Sequence, residues 1–266
     1  MTKTGLGEDA SQAGTLTISS KLVALIVTSA IGFVLAMHLL LMVLEHGYGN
    51  SYAWGLASVF NLDSEGNIPA LTASLLILFC GLSALITGVV QPLSKRDRFA
   101  WTYFGCLLLF LAYDEGAHLH EALGNFMNIY LDYDWIPYYA FIVPYGILAL
   151  VTAVILAPWY LRLDRKTQII FATAGTIYLT GAAGFELISI KYFESIDPTH
   201  TIRQSPVGDI FITIEETCEF CGMGLLLYTL INRIGGIRIS AGNESQARVE
   251  ENLLLSKKIT KVKTAA

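Results

Sequence analysis

The chain has 266 residues, of which 54% are hydrophobic and 15% are charged, and its mean hydropathy is +0.55. Such a composition is too apolar for an ordinary soluble domain, and the length suits one compact helical bundle. The formal net charge of −5 at pH 7 excludes the basic surface that nucleic-acid-binding proteins present. We therefore expect membrane lipids, and no nucleic acid, among its partners.

Apolar stretches long enough to cross a bilayer recur along the chain. About 20 residues are needed to span roughly 30 Å of hydrocarbon. The sequence therefore predicts an all-α polytopic membrane bundle of about six transmembrane helices, within a domain of residues 21–233. Residues 1–20 and the basic residues 234–266 are expected to form tails. The six predicted helices cover residues 21–45, 69–91, 99–121, 137–161, 168–190 and 207–231.

Lysine and arginine fall on alternate connections between the predicted helices. They mark residues 95–98 and 162–166 and reappear from Arg233, whereas the first and third connections contain none. The fifth connection has only Lys191 and Arg203. Because positive residues are retained on the cytoplasmic side of a membrane, we expect both termini to be cytoplasmic.

The acidic residues and histidines of the predicted helices gather on the opposite, exoplasmic side. They belong to the first, third, fifth and sixth helices, and the second and fourth contain none. Residues 99–113 cover only about 22 Å, which is too short to cross the bilayer, so we expect the third helix to continue through residue 121. On one continuous helix, Asp114, His118 and Glu121 would share a face.

These acids lack matching positive charge. Ionisable groups at membrane depth are costly and usually functional. Only Lys191 and Arg203 are available as basic side chains on that side. Several carboxylates in a medium of low dielectric constant cannot all stay ionised without cations, so protons, deep water or metal ions must compensate them.

Carboxylates combined with imidazoles suit iron, zinc or manganese. The order of these residues is similar to that of ferritin-like di-metal proteins, in which two helices each supply Glu and two others each supply Glu-x-x-His. Here the order is Glu45, then Glu115-x-x-His118, Glu186, and Glu216-x-x-Glu219, so that a glutamate stands where the second histidine is expected. His46 or His120 could supply the missing nitrogen ligand.

This comparison predicts a divalent metal site, with two iron ions as the first hypothesis and zinc as the alternative. Glu115 and either Glu216 or Glu219 would bridge the ions, and Asp114 and Glu121 would orient the histidines. Catalytic residues are not assigned. The candidate metal ligands are Glu45, His46, Asp114, Glu115, His118, Glu121, Glu186, Glu215, Glu216 and Glu219.

Several classes of function remain open. A di-iron oxidoreductase could act on a lipid-like or small apolar substrate in the apolar bundle. A cation or proton transporter would use the same acids as a path. A zinc-dependent membrane hydrolase would use Glu115 as its base. The chain could also be a non-catalytic subunit, with a membrane partner or in a homo-oligomer.

Two connecting or small-residue segments bear on the site. In the turn-rich residues 61–69, Asp63 and Asn67 are expected to cap the second helix, while Asp63 or Glu65 could instead fold over the acidic groups as a lid. The small residues 181–184 predict close packing of the fifth helix.

Three segments carry a resemblance to a known family. Residues 61–69 (NLDSEGNIP), 114–121 (DEGAHLHE) and 215–219 (EETCE) resemble those of an uncharacterised bacterial family of multipass membrane proteins. The resemblance covers roughly residues 20–233. It implies a location in a bacterial inner membrane, and it implies no activity.

Overall fold

A computed structural model describes residues 15–131, 141–196 and 205–240 of the chain. Residues 19–235 form one compact unit, and the described residues 15–18 and 236–240 belong to a second. In the second unit, β1 (Thr15–Ile18) pairs antiparallel with β2 (Ile237–Ser240). The sequence predicts only tails here, although both segments alternate between polar and apolar residues as strands do. The rest of the predicted tails lies outside the described residues.

The larger unit is helical. Within the described residues, π-helical segments cover Val43–Gly47 and Thr180–Phe185, and a 3₁₀ turn covers Ala53–Gly55. The α-helices are α1 (Ser20–Met42), α2 (Ala57–Phe60), α3 (Ile68–Val90), α4 (Lys95–Ala117), α5 (Leu119–Leu131), α6 (Ile142–Tyr160), α7 (Arg165–Leu179), α8 (Glu186–Ile196) and α9 (Pro206–Ile234).

The all-α class and the membrane character of the chain are confirmed. Within the described residues, four helical segments are long and apolar enough to cross a membrane: Ser20–Gly47, Ile68–Val90, Ile142–Tyr160 and Arg165–Ser189. The acids in α4 and α9 reduce the hydropathy of those two helices, so six crossings remain a prediction. Residues 137–140, predicted to begin the fourth span, lie outside the described residues.

The predicted continuation of the third helix through residue 121 is wrong. α4 ends at Ala117, and His118 adopts a left-handed conformation with φ 56° and ψ 39°. Non-glycine residues rarely adopt this conformation, which terminates an α-helix. Asp114 and Glu115 therefore lie on α4, whereas Glu121 lies on the separate helix α5, and the expected shared face of Asp114, His118 and Glu121 does not form.

Side-chain caps explain where several helices begin. Ser94, Asp164 and Ser205 each accept a hydrogen bond from a backbone N–H in the first turn of α4, α7 and α9. Asn67 caps α3 by accepting from Ala70 N at 3.1 Å, which confirms its predicted role. These caps leave the apolar middle of each helix free to pack.

α3 packs along α4 and α9, and α7 packs along α9. Toward one end of the unit, the interior is filled by aromatic rings. Trp101 is fully buried and meets Trp159 edge-on, with ring centroids 4.9 Å apart, and Phe171 lies against both. The guanidinium of Arg233 lies over the Trp101 ring, 5.2 Å from its centroid, at the edge of this aromatic cluster.

At the same end, which we term the basic end, arginines join four helices. Arg162 at the end of α6 contacts Asp97 of α4 at 2.7 Å, and Arg233 of α9 contacts Asp164 at 3.3 Å. Hydrogen bonds from Arg162 and Ser94 hold the pKa of the Asp97 carboxyl below its usual value. The Asp164 pKa is lowered chiefly by hydrogen bonds from Thr167, with a smaller effect from Arg233.

Candidate functional site

The opposite end of the larger unit, the acidic end, contains the predicted ligands. Both described π-helical segments lie here: one contains Glu45 and His46, and the other immediately precedes Glu186. A π-helical turn inserts an extra residue and so re-aims the side chains that follow, and such turns are frequent at functional sites. Sequence periodicity does not reveal them.

Asp114 holds the turn between α4 and α5. Asp114 is 6% exposed, and its Oδ1 accepts hydrogen bonds from the backbone N–H of His120 at 2.8 Å and from the Tyr145 hydroxyl at 2.6 Å. The imidazole Nδ1 of His120 lies 3.4 Å from Asp114 Oδ2. Asp114 thus orients His120, in agreement with its predicted role as a residue that positions a histidine ligand.

His118 turns away from the helix that precedes it. Its imidazole pairs with the carboxylate of Glu65, in the loop before α3. The neighbouring Asp63 lies within electrostatic range of Glu216 on α9. Residues 61–67 therefore fold over the acidic groups, which agrees with the lid alternative.

Four carboxylates from three helices form what we term the carboxylate cluster: Glu115 on α4, Glu186 on α8, and Glu216 and Glu219 on α9. The charged groups that act most strongly on Glu216 are Glu115, Glu215, Asp63 and Glu186. Those acting most strongly on Glu219 are Glu216, Glu115, Glu215 and Glu186. His120 lies on the same cluster, within electrostatic range of Glu115 and Glu186.

Close backbone approach forces this clustering. A Cβ on Gly181 would lie 2.5 Å from the Glu215 carbonyl oxygen and 2.9 Å from Glu219 Cγ. Lower in the same interface, a Cβ on Gly222 would lie 2.7 Å from Tyr178 N. Glycine at these two positions lets the α7–α8 segment lie directly against α9, which confirms the predicted close packing at Gly181.

Tyr178 belongs to the site but not to the predicted ligand set. Its ring lines a small cavity with Glu219, Phe220 and Met223 of α9. Glu219 and Glu115 are the acids that act on it most strongly. A buried tyrosine in an apolar helix needs a hydrogen-bond partner for its hydroxyl. That requirement is the feature of the sequence from which Tyr178 could have been predicted as a site residue.

A second group of ligands forms where α1 meets the start of α9. The ligand atoms of Glu45, His46 and Asp209 all lie within 4.8 Å of one another. His46 Nε2 lies 2.6 Å from Asp209 Oδ2. Among the residues that the structure describes, these three form the group whose ligand atoms are close enough together to bind one metal ion. Asp209 is not among the predicted ligands.

The structure therefore divides the predicted ligands. Glu115, Glu186, Glu215, Glu216 and Glu219 lie together beside His120, whereas Glu45 and His46 join Asp209, and His118 joins Glu65. The Glu121 side chain lies outside the described residues. Carboxylates and an imidazole from four helices can either bind metal ions or share protons. The chemistry of the site depends on which of the two occurs.

The comparisons with known proteins identify a family without assigning an activity. Neither a curated protein nor a solved structure matches the chain. Residues 24–233 match the Domain of unknown function (DUF8692), nearly the same range as the resemblance noted in the sequence. The chain therefore belongs to the DUF8692 family.

Proposed function

We propose that this protein is a six-span membrane protein that binds divalent metal ions at the carboxylate cluster, and that it acts as a metal-dependent oxidoreductase. The observation that carries the proposal is the surroundings of Glu216 and Glu219. The groups that act most strongly on each of them are all carboxylates. Bringing several half-buried carboxylates together is unfavourable unless cations or protons bind there.

The donor set favours metal ions over protons alone. Glu115, Glu216 and Glu219 offer oxygen ligands, and His120 offers a nitrogen ligand that Asp114 already orients. Such mixed oxygen and nitrogen sets suit iron, manganese or zinc. Among the described residues, His120 is the nitrogen donor near the cluster, because His118 pairs with Glu65 instead. The several carboxylates that could bridge two ions favour two iron ions over one zinc ion.

Oxidoreductase chemistry fits the surroundings of the cluster. The cavity beside Glu219 is lined by Ala73, Leu76 and Ile77 as well as by Tyr178, and it has room for about one water molecule. A small apolar gas such as dioxygen fits such a space, whereas a lipid-like substrate would have to approach from the bilayer. Bound iron would supply the electrons for dioxygen activation, and the apolar walls would keep water from reactive species.

We also propose that the acidic end faces the exoplasm of a bacterial inner membrane and that both termini are cytoplasmic. The arginines at the basic end support this orientation through the positive-inside rule. A reporter enzyme that works only outside the cytoplasm should be active when it is fused after Ser51 and inactive when it is fused after Gly236. A reporter that works only in the cytoplasm should show the reverse. The opposite pattern contradicts the orientation.

Metal analysis tests the main proposal. Protein purified in detergent from iron-supplemented cells should contain about two iron ions per chain, and Glu216→Gln combined with Glu219→Gln should lose them. Asp97→Asn is the matched control, because it removes a carboxylate from the basic end and should leave the metal content unchanged. Metal-free wild-type protein that is folded, or full metal content in the double variant, would refute the proposal.

Proton or cation transport is the second candidate. Asp209 and Glu216 lie two turns apart on one face of α9, so acids line that face from the end of the helix inward. The described core beyond Glu219 is closed by buried apolar side chains, among them Leu226, Leu227 and Leu230. Ion flux in liposomes that the Glu216→Gln variant abolishes, together with metal-free protein, would favour this candidate.

A further inference from the structure

The geometry points to a second metal site, separate from the carboxylate cluster and formed by Glu45, His46 and Asp209. We propose that it takes one divalent transition-metal ion, such as Zn²⁺, through one imidazole nitrogen and two carboxylate oxygens. This inference does not depend on whether the carboxylate cluster binds metal.

The ligand atoms are already close to coordination geometry. They lie within 4.8 Å of one another, whereas ligands of a tetrahedral zinc ion lie about 3.3 Å apart. Small side-chain rotations would therefore close the site. The side chains of His46 and Asp209 are 24% and 16% exposed, so an ion can enter from solvent while most of its shell is protein.

Glu45 and His46 are adjacent in the π-helical segment Val43–Gly47. Neighbouring side chains on a helix point in different directions, so the two residues would approach an ion from different sides. Asp209, in the first turn of α9, lies where the ligand atoms of both residues reach it. The three ligand atoms therefore lie around one common point.

His38 lies deeper than this site, seven residues before Glu45 along the same helical segment. It is 2% exposed, and its Nδ1 accepts a hydrogen bond from the Leu62 backbone N–H at 3.2 Å. Its Nε2 is buried and has no hydrogen-bond partner among the described residues. Asp209 is the charged group that acts on it. A buried polar nitrogen without a partner is costly in a purely structural arrangement, and it is available to a water molecule bound between His38 and the site above it.

This site is distinct from the carboxylate cluster. Asp209 and Glu216 are seven residues apart on α9, which corresponds to about 10 Å along the helix axis. Metal ions bridged by shared carboxylates lie only about 4 Å apart. An ion held by Asp209 therefore cannot share a bridging ligand with ions held by Glu216 and Glu219.

The lone pair of His46 Nε2 and the oxygens of Asp209 would bind the ion in place of the contact they make with each other. The imidazole is neutral in that state, so binding releases any proton shared by the pair. Three protein ligands leave one position of a tetrahedral ion for water, the arrangement found in zinc sites that are open to a ligand.

Zinc titration of the full chain in lipid nanodiscs tests the site. Isothermal titration calorimetry with Zn²⁺ should show a site that His46→Ala weakens at least about 100-fold and that His46→Cys, which keeps a zinc ligand, largely restores. The double variant Glu216→Gln with Glu219→Gln should keep this site while losing the metal of the carboxylate cluster. Asp209→Asn should match His46→Ala, and it serves as the alternative if His46→Ala does not fold.

Unchanged Zn²⁺ affinity in both His46→Ala and Asp209→Asn overturns the inference. So does a wild-type protein that binds no Zn²⁺ outside the carboxylate cluster, which would be seen as complete loss of binding in the Glu216→Gln and Glu219→Gln double variant. Loss of cluster metal with this site retained refutes neither proposal, because that is the expected result for two separate sites.

Discussion

The two ends of the larger helical unit treat carboxylates in opposite ways. At the basic end, Asp97 contacts Arg162 and Asp164 contacts Arg233, and both acids have a lowered pKa. At the acidic end, the groups that act most strongly on Glu216 are other carboxylates. Both ends belong to the same helices, so the difference arises from the choice of side chains.

The comparison separates structural acids from candidate functional acids. An acid that caps a helix or pairs with arginine is explained by the fold it stabilises. The Glu216 and Glu219 pair has no such explanation among the described contacts, because the charged groups that act most strongly on both residues are other carboxylates. A protein gains nothing in stability from that arrangement unless a cation or proton joins it.

The largest effect is expected from Gly181→Leu. Its side chain would meet the backbone carbonyl of Glu215, which cannot rotate away, so the α7–α8 segment must move off α9. Overpacking of this kind costs about 3 kcal/mol or more when backbone has to shift. Thermal unfolding in detergent should show a large loss of stability, and any folded fraction should contain less metal than the wild type.

Gly175→Leu is the matched control for that change. It lies on α7, six residues before Gly181, and nothing lies within 4 Å of the position its Cβ would occupy. Because helix propensity favours leucine over glycine, we expect no loss of stability from this change. Equal losses of stability in the two variants would contradict the close approach at Gly181.

An intermediate effect is expected from Asp114→Ala. The change leaves the His120 backbone N–H and the Tyr145 hydroxyl without their shared acceptor in a buried position. Leaving buried donors unsatisfied costs about 1–3 kcal/mol. Tyr145→Phe removes only one of these donors and should cost less. Metal content should be compared in the folded fraction of each variant. If folded Asp114→Ala contains less metal than folded Tyr145→Phe, Asp114 acts by orienting His120.

Local sequence patterns predict much of this fold. The apolar runs mark the helices, and Ser94, Asn67, Asp164 and Ser205 cap them as short polar residues do. The gathering of acids at one end also follows from sequence, because helix direction alternates along the chain. The small residues near Gly181 correctly indicate close packing.

The details of the site depend on contacts that no local pattern contains. The left-handed conformation of His118 could not be predicted from the sequence, because the residue is not a glycine. It accompanies a pairing of His118 with Glu65, a residue distant in sequence. His46 and Asp209 are 163 positions apart and meet only because α1 and α9 pack together. The π-helical segments shift the register of the ligands, so the spacing of Glu45 and Glu186 alone cannot assign them to one site.

The smallest effect is expected at the basic end, from Asp97→Asn. The Asp97 pKa is lower in the folded state than in the unfolded chain, so its contribution to stability is present above the unfolded pKa of about 4 and is lost as pH falls through the folded pKa. Because the pair with Arg162 is partly exposed, the loss at neutral pH should be below about 1 kcal/mol. Unfolding measured from pH 7 to pH 3 should show the wild-type advantage over Asp97→Asn shrinking only toward the acid end of that range. If the stability advantage of the wild type over Asp97→Asn instead grew as the pH fell, the ion pair would be contradicted. The view that arginines already neutralise the carboxylates of the basic end would be contradicted with it.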